Sequence, residues 1–252
     1  MTTKKELAKR DENLPVSADI LMDDAGDGTD AITPEIMTMP FINIAQDMSP
    51  QAKKNKAKYI EGCEPGMMFN SATNELTDNP KSMDIIVVDV KHCFLEWVPR
   101  ESGGGFVAEH PASTPLKNDV EIDDKNNRVL PNGNHLNETV VYSVLDAVSG
   151  TPLVVSMSSS QLKVARRINS ILKLLRVETS KGPVNPPSYY SVLRLDVVED
   201  SNKKGDEYYN FGVSRIGNVT AEQYAVAKDF REMVLSGKAG IDHSAAGEDS
   251  PY

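Results

Sequence analysis

Extended, alternating apolar runs dominate this chain up to residue 158, where the hydrophobic period changes. The segment SSSQLKVARRINSILKLLRVE, residues 158–178, places Leu162, Ala165, Ile168, Ile171, Leu172 and Leu175 at helical spacing. At about 100° per residue these side chains gather on one side, while Lys163, Arg166, Arg167 and Lys173 gather on the other. Ser158 to Ser160 offer an N-cap, and Gly182-Pro183 with Pro186-Pro187 stop the helix. A helix with a core stripe and a basic back therefore interrupts a β-rich chain.

The clearest strand is SMDIIVVDVKHCFLEWVPR, residues 82–100. If it stays extended, Ile86, Val88, Val90, His92, Phe94 and Glu96 share one face against Val87, Asp89, Lys91, Cys93, Leu95 and Trp97. Neither face is wholly polar, which suits a long strand bent across two packing environments. Ser102-Gly103-Gly104-Gly105 breaks it, and GFVAEH follows at once, so the pair reads as a hairpin with a flexible glycine-rich connection. After a polar excursion from Pro111 to Asn137, with a turn signal at PNGN, come the strands ETVVYSVLDA and PLVVSMS. Beyond the helix, YYSVLRLDVVED and EYYNFGVSRIG form a second hairpin, and a last helix starts at Thr220. Three strands, a helix and a hairpin are the element order of the OB-fold, in which a helix sits between the third and fourth strands. The expected fold is a β-rich α+β, OB-fold-like five-stranded Greek-key barrel with an added C-terminal helix.

Charge is distributed unevenly. The net charge is −10, yet residues 1–35 hold four basic and nine acidic side chains, and residues 241–252 hold three acids and no Lys or Arg. That leaves 23 basic and 25 acidic residues in a nearly neutral body. The expected organisation is a disordered acidic segment (1–38), one nucleic-acid-binding domain (39–236) with a loop insertion at 111–137, and a flexible acidic tail (237–252). No apolar run approaches the ~18 residues of a membrane span, so a cytoplasmic protein without a membrane partner is expected. Cys63 and Cys93 stand singly and read as reduced thiols. His92, His110, His135 and His243 are scattered, and the pair His135–Glu138 lacks a further ligand at metal spacing. No nucleophile or phosphate-loop motif appears, so neither catalytic residues nor a cofactor or metal is expected.

Barrels of this kind bind single strands by joining a basic groove to aromatic faces, because phosphates need cations and every base offers a π-surface. The first long strand supplies Lys91, Phe94, Trp97 and Arg100, and Phe106 follows the glycines. The second hairpin supplies Tyr189, Tyr190, Arg194, Tyr209, Phe211 and Arg215, and the basic helix back adds Lys163, Arg166 and Arg167. Half of these rings are expected to fill the core. Trp97 and Phe106, flanking the glycine tip beside Arg100, are the leading stacking candidates.

The ending GEDSPY resembles the acidic, Pro-aromatic tip of bacterial single-stranded DNA-binding proteins. A β-barrel with an acidic terminus resembles the T7-type phage replication proteins, although this tip is shorter and ends in Tyr rather than Phe. PFINIAQDMSP, FLEWVPRESGGGF and SSSQLKVARRINS resemble segments of a phage-encoded single-stranded DNA-binding family, a likeness spanning most of residues 40–215. It implies sequence-nonspecific binding of single-stranded DNA in phage replication or recombination. It also implies contact with replication or recombination proteins through Glu248, Asp249, Pro251 and Tyr252. A phage particle structural or assembly protein and a recombination annealase are the alternatives.

Overall fold

The computed structural model describes residues 16–29, 31–32, 36, 39–202 and 205–246. The chain divides into two units, Met1–Met37 and Thr38–Tyr252. In the first, a short helix α1 (Ala18–Asp23) places Asp19 in its first turn, the favourable end for an acid, and leaves Ile20 and Met22 exposed. Composition gives no sign of this helix, since its stretch is acidic and lacks a sustained apolar period.

The second unit is built on one antiparallel sheet. Strand β4 (Ser82–Trp97) pairs along one edge with β8 (His135–Asp146), from Ile85↔Asp146 to Trp97↔His135. Its other edge is shared: β12 (Ser191–Ser201) takes the first part and β5 (Phe106–Pro111) takes the end. Strand β9 (Pro152–Ser158) lies on the far side of β8, and β13 (Glu207–Asn218) on the far side of β12. The main run is thus β13-β12-β4-β8-β9, curled into a half-barrel. Helix α2 (Leu162–Leu174) follows β9 and packs on β8, β9 and β13. Small strands complete the unit: β1 (Ile42–Ile44), β2 (Met68–Asn70) and β3 (Glu75–Leu76) form one sheet. Hairpins β6–β7 (Glu121–Ile122, Arg128–Val129) and β10–β11 (Val177–Thr179, Gly182–Val184) sit in the connections.

Each face of the sheet carries a buried core. Val140, Tyr142 and Val144 of β8 point into a core closed by Val164, Ala165 and Ile168 of α2 and by Phe211 and Val213 of β13. The opposite face, with Val141 and Leu145, lies under helix α3 (Ala221–Leu235), which contributes Ala227 and Phe230, and under Met39 and Phe41. Helix α3 begins where Thr220 was expected to cap it. The Thr220 hydroxyl accepts from the Gln223 N–H at 3.2 Å, and the Gln223 side chain accepts from the Thr220 N–H at 2.8 Å, a complete capping box. Helix α2 differs from expectation at its start. A 3-10 turn, Ser159–Gln161, leads into it, and no serine side chain caps it.

The simple alternation read along β4 fails at one place. The register with β8 shifts between Val87 and Asp89. Before the bulge the even residues Ile86 and Val88 face α3, whereas beyond it the odd residues Cys93 and Leu95 do. One extra residue in a strand moves every later side chain to the other face. Cys63 and Cys93 are free, buried thiols, and burial pushes the Cys93 thiol up to about 12.

Candidate nucleic-acid interface

At the end of β4 the chain turns through Arg100–Ser102, with the Ser102 N–H bonded to the Pro99 carbonyl at 2.9 Å and the Gly104 N–H to the same oxygen at 3.0 Å. The glycine connection is thus a hydrogen-bonded turn, and Gly103 at φ 107° takes a conformation closed to most side chains. Trp97 lies at its base and is half-buried. Its indole meets the Phe106 ring edge-on at 5.4 Å between centroids, and both rings pack against the core under α3.

Opposite this turn stands the β6–β7 hairpin. Asp123 organises its tip by accepting from the Lys125 N–H at 2.9 Å and the Asn127 N–H at 2.7 Å. Asn126 is thereby held at φ 66°. The PNGN turn is fixed from below by Glu96, which is buried and accepts from the side chains of Asn134 at 2.6 Å and Asn132 at 3.0 Å. His110 completes its shell at 2.8 Å. The amide bonds of Asn134 and Asn132, joined by that of His110, outweigh desolvation and hold the Glu96 carboxyl below its ordinary range.

Between turn and hairpin opens a cleft of about 420 Å³. Trp97, Leu136 and Leu162 supply its apolar surface, and Arg100, Lys125, Arg128 and His135 its basic side chains. Among the described residues, Glu138 is the one acid that lines it. Its carboxyl is partly desolvated, yet bonds from Arg128 at 3.1 Å and His92 at 3.2 Å keep it below its ordinary range. Lys125 pairs with Glu101 at 2.9 Å on exposed side chains, where an ion pair contributes little to stability. Ser159, at φ 48°, closes the far wall. Among the described residues, two of the three non-glycine positions with left-handed backbone, Asn126 and Ser159, therefore border this cleft. Strain of this kind costs ~1–3 kcal/mol at each position and concentrates at binding sites.

Of the residues singled out in the sequence, Trp97 and Arg100 line the cleft and Phe106 backs it. Phe94 and Phe211 are buried. Phe94 is buried with Leu130 and Leu136, capped by the Arg128 guanidinium at 5.8 Å, and Phe211 fills the core beneath α2. The bulge in β4 and the close packing of β13 account for both. Other cations are engaged elsewhere. Lys91 pairs with Glu109 at 2.5 Å, Arg194 makes a fork with Asp84 at 2.7 and 2.9 Å, and Lys163 pairs with Asp200. Arg215 bonds to Ser191 and Asn218. Tyr189 packs on Tyr224 at 5.0 Å, Tyr190 accepts from Asn218 at 3.1 Å, and Tyr209 lies over Gly66 with the Lys81 ammonium 5.7 Å from its ring. Arg166 and Arg167 are exposed. Arg166 stands one helical turn beyond Leu162, which lines the cleft, and is itself outside the lining. Glu248, Asp249, Pro251 and Tyr252 lie outside the described residues.

Sequence reasoning missed Lys125, Arg128 and His135. They sit in the stretch read as a loop insertion, and the available signal was the turn chemistry of Asp123–Asn127 and PNGN, which pins basic residues against a strand end. His135 and Glu138 do not come together as a ligand pair, because Glu138 bonds to His92 and Arg128. Among the described residues no group of acids, histidines or cysteines could hold a metal ion, and no helix is long and apolar enough to cross a membrane.

The model of the Pam3 phage gp34-like protein family matches residues 9–240, nearly the whole chain. The chain belongs to that phage family. Comparison with curated proteins and with solved structures finds no match.

Proposed function

We propose that this phage protein binds single-stranded nucleic acid, DNA in the first place, without strong sequence preference, in phage replication or recombination. The observation that carries this reading is the cleft itself. In a chain of net charge −10, it combines a half-buried indole with Arg100, Lys125, Arg128 and His135 against one carboxylate, itself paired. A ring and cations in one concavity are what stacking a base and holding its phosphate require. The strand order gives further support for an OB-fold-like barrel. The meander β4-β8-β9 precedes α2, and the hairpin β12–β13 returns to the free edge of β4. Loops at the ends of such barrels bind oligonucleotides. Under this reading the protein works in the host cell cytoplasm and protects exposed strands, and the acids Glu248 and Asp249 compete with phosphate and contact replication or recombination proteins.

Titration of the full chain with oligo-dT, read by Trp97 emission, tests the reading. Micromolar or tighter binding at low salt supports it, and no binding rejects it in favour of a particle protein. Accelerated pairing of complementary strands would move the protein to the annealases.

A further inference from the structure

The chain beyond α3 returns to the sheet. Ala239 is buried and Ile241 packs under α3, and His243 is driven between two rings, 6.1 Å from Phe41 and 5.4 Å from Phe106. His243 is 4% exposed. Among the described residues, backbone hydrogen bonds from this segment to the preceding structure end at Ala239, bonded to Met233. Ala239, Ile241 and His243 are the described residues of this segment that pack on the core.

The environment of His243 favours its neutral form. Nε2 lies 3.0 Å from Oε2 of Glu109, an acceptor when ionised, so Nε2 carries the proton. Nδ1 is buried and finds no hydrogen-bond partner among the described residues. A second proton, on Nδ1, would place a donor and a positive charge in that unpartnered position. The groups facing the ring are Glu109 on β5, Lys91 on β4 and Asp242 beside it. Lys91 already shares the Glu109 carboxylate at 2.5 Å, so the one carboxylate bonded to the imidazole is half-committed to another cation.

We infer that residues 239–246 form a proton-released strap: protonation of His243 expels it from between Phe41 and Phe106 and frees the segment from the back of the cleft. Burial lowers the pKa of docked His243 from its ordinary 6.5, against the opposing pull of Glu109. The released ring titrates near 6.5, so docking is at full strength above that pH and weakens as pH falls through it. Because Phe106 touches both His243 and Trp97, release alters the packing behind the cleft wall. Only this consequence rests on the nucleic-acid reading.

The experiment is an NMR titration of the full chain from pH 7.5 to 5.5, following the amides of residues 239–246 beside Trp97 emission. In the wild type the strap amides move reversibly to coil positions and the Trp97 emission changes with them. His243→Phe, which keeps a ring between Phe41 and Phe106 but cannot titrate, holds the strap docked over the whole range. Strap amides that stay put in the wild type, or that move equally in His243→Phe, overturn the inference. Oligo-dT titration at pH 7.5 keeps the two readings apart, since failure to bind there defeats the proposed function while the strap amides report independently.

Discussion

Trp97 and Phe106 are register partners across the β4–β5 ladder, and their rings meet edge-on at 5.4 Å where that ladder carries a bulge. The contact fixes the only tryptophan of the chain in one orientation, with part of its surface against the core and part in the cleft. Under the proposed function, an indole with one side supported offers the rest to a base at little entropic cost.

Trp97→Ala is therefore expected to weaken oligonucleotide binding by about 1–3 kcal/mol, roughly 5- to 150-fold, and Trp97→Phe by less. Fluorescence anisotropy with a labelled oligo-dT measures both. Equal affinity of Trp97→Ala and wild type would remove the ring from the site.

Under the proposed function, cations of the cleft act through phosphate. Lys125→Ala and Arg100→Ala each lower the slope of log affinity against log salt by about 0.7 if they make one phosphate contact to a single strand. Arg166→Ala, one turn beyond Leu162, has the same effect, whereas Arg194→Ala leaves the slope unchanged because that guanidinium is held by Asp84. Binding isotherms at several salt concentrations decide between them.

Glu96→Gln removes the charge that gathers Asn132, Asn134 and His110. The expected loss is about 1–3 kcal/mol of stability at pH 7 in urea unfolding. The Glu96 carboxyl is held below its ordinary 4.5, so its contribution is complete above that pH and is lost as pH falls through the lowered value. The gap between wild type and variant accordingly narrows on acidification.

Gly66 and Gly150 have nearly the same backbone, φ 77° and 74°, but different surroundings. A Cβ on Gly66 would stand 2.6 Å from the Tyr209 ring, and one on Gly150 would meet nothing within 4 Å. Gly150→Ala should cost about 1 kcal/mol for the left-handed conformation alone. Gly66→Ala should cost distinctly more, and denaturant unfolding of the pair isolates the ring contact.

The elements with a sustained period were legible in the sequence: β4, β8, β9, the β12–β13 hairpin, α2, and α3 with its Thr220 cap. Which rings pack inward was not. A single inserted residue near Val88 reverses the faces of β4, and composition does not mark such a bulge. The same reversal turns Phe94 away from α3 and onto Leu130 and Leu136. Half of the cleft was hidden for another reason. Lys125, Arg128 and His135 reach it through turns fixed locally by Asp123 and, from a distant strand, by Glu96, and such polar bonds leave no hydrophobic pattern. The second core, under α3, depends on contacts of Phe41 and Met39 with residues far along the chain, and only the fold brings them together.

The most direct measurement is the emission of Trp97 during titration with oligo-dT at about 50 and 200 mM salt, concentrations between which phosphate binders lose much of their affinity. The account predicts saturable quenching at the lower concentration and a large drop in affinity at the higher one. An emission that does not respond to the oligonucleotide, or an affinity indifferent to salt, contradicts it.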